Sequence, residues 1–212
     1  GRVLPVLLDG QARRDAVLYA KSNQGYVLLV TRRDRKPPEI HHDAVAVLEN
    51  GEQSVVLGEI QEAPQSPTIT SGLKDLSPVG VLGRLLKVIQ LPDDRLSALV
   101  QLIRRAQLVD LLRAEPFLAV RVLYPAEVIA NEAEFHATTS QLRITLKAFF
   151  DAHPNMPDEI KVAGMNIESP GVLADFVAQQ LCRDAQERLV FLLELDLGRR
   201  MRRALEVALR EL

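Results

Sequence analysis

The stretch from Val79 to Arg105 constrains this chain more than any other. Two apolar runs, Val79 to Gln90 and Arg95 to Arg105, flank Leu91-Pro92-Asp93-Asp94. Proline presets φ for a first corner, and the two aspartates can bond their own backbone, so the centre reads as a turn. In the second run Leu96, Ala98, Val100 and Leu102 alternate, the period of a strand with one buried face. The expectation is a long hairpin, then two more strands (Ala106 to Leu112 and Phe117 to Tyr124, with Glu115-Pro116 between them), and after Pro125 helices only.

Ahead of the hairpin, Val3 to Leu8 is an apolar run broken by Pro5, which suggests an edge strand or a strand start. Asp9 is a candidate N-cap for a helix over Gln11 to Lys21 with Ala12, Ala16, Tyr19 and Ala20 on one face. Gly25 supplies the turn that follows. Tyr26 to Thr31 is apolar on both faces, as a central strand is. Residues 35–76 differ: Pro37-Pro38, Pro64 and Pro67 punctuate them, and Asn50-Gly51 separates two apolar runs. Asn-Gly in that setting is a strong hairpin signal. An inserted surface hairpin on Pro-rich arms is expected, with Gln65 to Asp75 as a mobile loop.

From Asn131 the apolar period becomes helical. Phe135, Leu142, Leu146, Phe149 and Phe150 share a stripe, with Asn131 and Glu134 as a capping box. Pro154 stops that helix. A short helix follows over Pro157 to Val162. Ser169 as N-cap and Pro170 at the first position open another, with Val172, Leu173, Phe176, Val177 and Leu181 as its stripe. Ala185 to Glu194 and Leu197 to Leu212 complete the set. The last places Met201, Leu205, Ala208 and Leu212 on one side and Arg199, Arg200, Arg202 and Arg203 on the other.

Catalytic chemistry is not legible in these residues. Gly80-Val81-Leu82-Gly83 lacks the Lys and Ser/Thr of a phosphate loop and reads as glycines in a twisted strand near a bulge. His41-His42 would point to opposite faces of a strand and chelate poorly together. His136 and His153 read as helix-surface or helix-end residues. Cys182 reads as a structural thiol. Asp93-Asp94 is a turn, and Asp158-Glu159 is a first helical turn where acids suit the dipole. Arg199 to Arg203 reads as a solvated helix face among Asp196, Glu206 and Glu211. No catalytic, cofactor-binding or metal-binding residue is assigned, and substrate-binding residues are not identified.

Composition narrows the class. The 212 residues suit one large domain or two small ones, and 47% hydrophobic residues can supply real cores. A net charge of −2 and the lack of interleaved aromatics argue against a nucleic-acid partner. No apolar run reaches the length of a membrane span. One cysteine cannot form an internal disulfide, which fits a reducing compartment. The opening at Gly1-Arg2-Val3, already near an apolar run, and the unterminated final helix predict a piece of a longer protein.

The order strand–helix–strand, hairpin, two strands, helices resembles the N-terminal domain of Lon, the ATP-dependent AAA+ serine protease. The resemblance rests on Leu28-Leu29-Val30, Val79-Gly80, Leu91-Pro92-Asp93-Asp94, Arg105-Ala106 and Pro116-Phe117-Leu118. It extends to Ser169-Pro170-Gly171-Val172-Leu173-Ala174-Asp175 and to Gln186, Leu193-Glu194, Asp196 and Arg200-Met201. It covers residues 2–34 and 77–212. Asp94 stands where the family has a glycine, and residues 35–76 exceed its usual connection.

The resemblance implies an α+β fold. Residues 1–125 would be a PUA-like β-domain, or pseudo-barrel, and residues 126–212 a helical bundle whose last helix leads toward an ATPase domain. It also implies a non-catalytic fragment that recognises unfolded or degron-bearing proteins and supports a homo-hexamer in a bacterial cytoplasm. ATP, Mg and the Ser-Lys peptidase would belong to the parent protein. The alternatives are a stand-alone LON-domain binding protein and a PUA-like nucleic-acid-binding module.

Overall fold

The computed structural model describes residues 2–32, 44–47, 73–91 and 95–212. It divides into two compact units, Gly1–Pro125 and Ala126–Leu212. The architecture is α+β: a six-stranded sheet in the first unit, and six helices, one in the first unit and five in the second. The elements, in chain order, are β1 (Val3–Leu8), α1 (Gln11–Ser22), β2 (Tyr26–Val30), β3 (Ala44–Val47), β4 (Val79–Gln90), β5 (Leu96–Arg113) and β6 (Ala119–Leu123). They continue with α2 (Glu132–Ala152), α3 (Asp158–Met165), α4 (Pro170–Leu181), α5 (Ala185–Leu193) and α6 (Leu197–Glu211).

The sheet order is β1-β5-β4-β2-β3-β6, and β6 also pairs with β5. The sheet therefore curls back on itself. Among the described residues, β3 meets β6 at the single pair Val47↔Ala119. This open, curled sheet is a pseudo-barrel rather than a closed one. β1 lies at the edge. Arg2 accepts from the Leu102 N–H at 2.7 Å, and the register runs Val3↔Gln101 to Leu8↔Leu96. In antiparallel pairing hydrogen-bonded and open positions alternate, so Pro5 falls on an open position and its missing N–H costs no ladder bond.

β2 is buried on both faces, and each face feeds a different cluster. Val27 and Leu29 join Val6, Leu8, Ala98 and Val100 under α1. Leu28 and Val30 join Ala106, Leu108, Val120, Leu73 and Leu76. Glycine lets the neighbouring strand approach: a Cβ on Gly80 would lie 2.7 Å from the Leu29 carbonyl oxygen. The second unit has one core, built from Phe135, Leu142, Leu146 and Phe149 of α2, Leu173 and Val177 of α4, Phe191 of α5 and Met201 and Ala204 of α6.

Several local expectations change. Gly10, not Asp9, is the N-cap of α1; its φ of 84° is one that side chains rarely adopt, and no side chain caps the helix. Ala12 is exposed and Val17 is buried in its place. Ala44–Val47 pairs with β2 as part of the main sheet, whereas Asn50-Gly51 and the second arm lie outside the described residues. Within the loop expected over Gln65 to Asp75, Leu73 is core. The two strands expected over 96–112 are one continuous strand, β5. The apolar stripe of α4 excludes Val172, which is exposed. Leu212 is exposed too, and Arg200 is buried. The capping residues Asn131 and Ser169 accept from the N–H groups of Glu134 and Val172, at 3.2 and 3.5 Å.

Candidate protein-binding surface

The ladders of β5 with β4 and β6 carry four register shifts, and each inserts one extra aliphatic residue. Leu85↔Val100 is followed by Lys87↔Leu99, so Leu86 has no opposite number. Leu82↔Arg104 is followed by Gly83↔Leu102, which leaves Ile103 extra on β5. Against β6 the extra residues are Val109 and Leu112. A bulge re-aims side chains and increases twist. Here it places large apolar groups in water: Leu86, Ile103 and Leu112 are 51%, 47% and 45% exposed.

Each bulged residue is the second of an aliphatic doublet followed by a charge. These are Leu85-Leu86-Lys87, Leu102-Ile103-Arg104, Leu108-Val109-Asp110 and Leu111-Leu112-Arg113. In a period-two strand a doublet places one member on the wrong face, and a bulge absorbs it. Val88-Ile89, followed by uncharged Gln90, pairs without a shift. The doublets were therefore the sequence signal for these three exposed groups.

The bulges also decide which core each residue joins. Ala98 and Val100 face one cluster, while Ala106 and Leu108, of the same parity, face the other. The inserted Ile103 makes that switch. Beside Leu86 a shallow concavity of about 240 Å³ opens between Lys21, Gly25 and residues Leu85 to Val88. Two ammonium groups, Lys21 and Lys87, therefore border an exposed leucine. Further along, Arg104 lies 4.9 Å over the Tyr124 ring, and Arg113 lies 4.5 Å over Phe117 and 5.6 Å over Tyr19. Burial pushes the Tyr124 hydroxyl pKa up, against the opposing charge of Arg104.

The residues singled out from sequence do not converge on one place. His41-His42 and Asp93-Asp94 lie outside the described residues. Gly83 sits at a register shift, as a glycine near a bulge should. His136 is exposed with its ring 5.7 Å from Phe135. His153 caps the end of α2: a ring nitrogen lies 2.8 Å from the Phe149 carbonyl, and the ring stacks on Phe149 at 4.1 Å. Asp158 and Glu159 stand in the first turn of α3.

The Cys182 thiol is buried and pushed up to about 11, first by burial and then by Glu187. A thiol held protonated is a poor nucleophile. Glu187 is itself held down to about 2 by hydrogen bonds from Arg210. The arginine cluster of α6 splits up. Arg199 pairs with Asp196, Arg202 with Glu134, and Arg200 turns inward to Glu127.

This fold, a curled bulged sheet followed by a helical bundle, is that of two solved N-terminal domains. The N-terminal domain of the Mycobacterium avium complex Lon protease superposes with a TM-score of 0.64 at 21% identity, covering 100% of this chain and 92% of that one. A Lon N-terminal domain protein from Xanthomonas campestris gives 0.51 at 12% identity, with 95% and 87% covered. The chain belongs to the family described as the ATP-dependent protease La (LON) substrate-binding domain, whose model matches residues 1–210. Lon protease 1 of Borreliella burgdorferi is 24% identical over 100% of this chain, which spans 24% of that protein. Lon protease 2 of Herpetosiphon aurantiacus is 33% identical over 60% of this chain and 16% of its own length.

No helix among the described residues is long and apolar enough to cross a membrane.

Proposed function

We propose that this chain is the non-catalytic substrate-recognition module of a Lon-type ATP-dependent serine protease in a bacterial cytoplasm. The observation that carries the reading is the family's substrate-binding character together with the bulged ladder. Leu86, Ile103 and Leu112 stand ready to meet the apolar side chains of an unfolded polypeptide, which folded proteins keep inside. A single exposed leucine contributes little, because burying it yields only about 1.5–3 kcal/mol. Recognition is therefore weak per copy and distributed along the sheet. Assembly of the parent into a hexamer would present several copies, and effective concentration would raise avidity without new contacts. ATP hydrolysis with Mg and peptide cleavage belong to the rest of the parent.

The test is fluorescence anisotropy with a labelled client, permanently unfolded by reduction and carboxymethylation, beside the same client folded. Saturable binding of the unfolded form alone is expected. Equal, negligible binding of both forms would remove the recognition role.

A further inference from the structure

We infer that residues 127–128 form a strap that closes the starts of α4 and α6 together, with Arg200 as its clasp. Arg200 is a guanidinium only 1% exposed, on the buried side of α6 with Leu197, Met201 and Ala204. Its Nη2 donates to Oε1 of Glu127 at 2.5 Å, while Nε finds no hydrogen-bond partner among the described residues. A buried cation needs a counter-charge, and Glu127, 52% exposed, reaches in from the surface to supply it.

The same carboxylate stands at the start of α4. A Cβ on Gly171, the second residue of that helix, would lie 2.5 Å from Glu127 Oε1 and 3.1 Å from Arg200 Nη2. With glycine there the pair fits as it stands; a methyl group would make the Glu127 carboxylate shift. A helix start also favours negative charge.

The next residue closes α6. The first N–H groups of a helix have no partner inside it. Here the Leu197 N–H donates to the Val128 carbonyl at 2.9 Å, and Val128 bridges Asp196 in parallel. Asp196 caps the same turn independently, its side chain accepting from the Arg199 N–H at 2.9 Å. The strap thus satisfies one backbone donor and one buried charge of the same helix. When it lifts, both are lost together. It is a conformational device: the segment ahead of α2 and the Leu197 N–H it holds open or close as one, while the Asp196 cap keeps the rest of the turn.

Amide exchange on the full chain tests this, read at Leu197 and Arg199. Glu127→Ala removes the clasp's partner. Gly171→Ala keeps both charges and forces the Glu127 carboxylate to shift. Glu127→Ala is expected to speed exchange of the Leu197 amide at least about tenfold, and Gly171→Ala to speed it less, while both leave Arg199 near its original rate, since local opening is read amide by amide. Glu127→Gln, which keeps an acceptor, is expected to fall between. An unchanged Leu197 amide in Glu127→Ala overturns the strap. Equal acceleration at Leu197 and Arg199 also overturns it, because that outcome reports fraying of the whole helix end.

Discussion

In the β unit, three of the four aliphatic residues that depart from the strand period lie in water: Leu86, Ile103 and Leu112. In the helical unit the departure is one of residue type rather than period: an arginine points inward. Both departures cost free energy that a regular element would not spend. In the sheet the cost is exposed apolar area at residues that could have been polar. In the bundle it is a desolvated cation, offset by one carboxylate. A buried charge must keep its counter-charge close, whereas a surface that exposes leucines is free to be covered. On the proposed function, the first unit is therefore the one expected to carry recognition.

The comparison sharpens if the two units respond to different substitutions. The largest effect is expected in the cores. Leu28→Ala empties a fully buried site in β2, and Phe191→Ala empties one in α5; each should cost about 2–5 kcal/mol in denaturant unfolding. The first should melt the sheet amides and the second the bundle amides, and loss of both sets by either substitution would break the division.

Gly80→Ala comes next. Its new methyl meets a backbone carbonyl, which yields less than a side chain, so about 1–3 kcal/mol of sheet stability should go. Asn131→Ala removes the α2 cap and should cost about 1 kcal/mol, seen as a lower Tm of the bundle alone.

The smallest effect is one of pH. Glu187, held by Arg210, titrates near 2 instead of the usual 4.5. The unfolded chain therefore binds that proton first as pH falls, and the stabilisation, complete above 4.5, is lost between about 4.5 and 2. Acidification through that window should lower the bundle Tm more in the parent than in Glu187→Gln. Parallel pH curves would assign the loss to other carboxylates.

Much of this was legible in the residues. The order of elements, the central β2, the edge proline and the caps at Asn131 and Ser169 follow from period, turn chemistry and capping rules, which act locally. The continuity of β5 did not. Arg104-Arg105 interrupts the apolar alternation and looks like a break, but the bulge at Ile103 carries the strand through and transfers the even-numbered residues to the other core. Arg200 was assigned to the wet face by residue type alone. Its spacing, three after Leu197 and four and seven before Ala204 and Val207, sets it on the buried side. The crowding at Gly171 comes from a carboxylate 44 positions away in sequence, at Glu127, and no local rule reaches that far.

The central claim is that the bulged aliphatics are where clients bind. The direct measurement is anisotropy binding of the unfolded client to the triple variant Leu86→Ser, Ile103→Ser, Leu112→Ser, with thermal unfolding recorded alongside. Exposed substitutions of this kind should move stability by no more than about 0.5 kcal/mol each. The account predicts an almost unchanged Tm and client affinity weakened at least about tenfold, a difference of about 1.4 kcal/mol. Unchanged affinity at unchanged Tm would contradict it and move the client surface elsewhere.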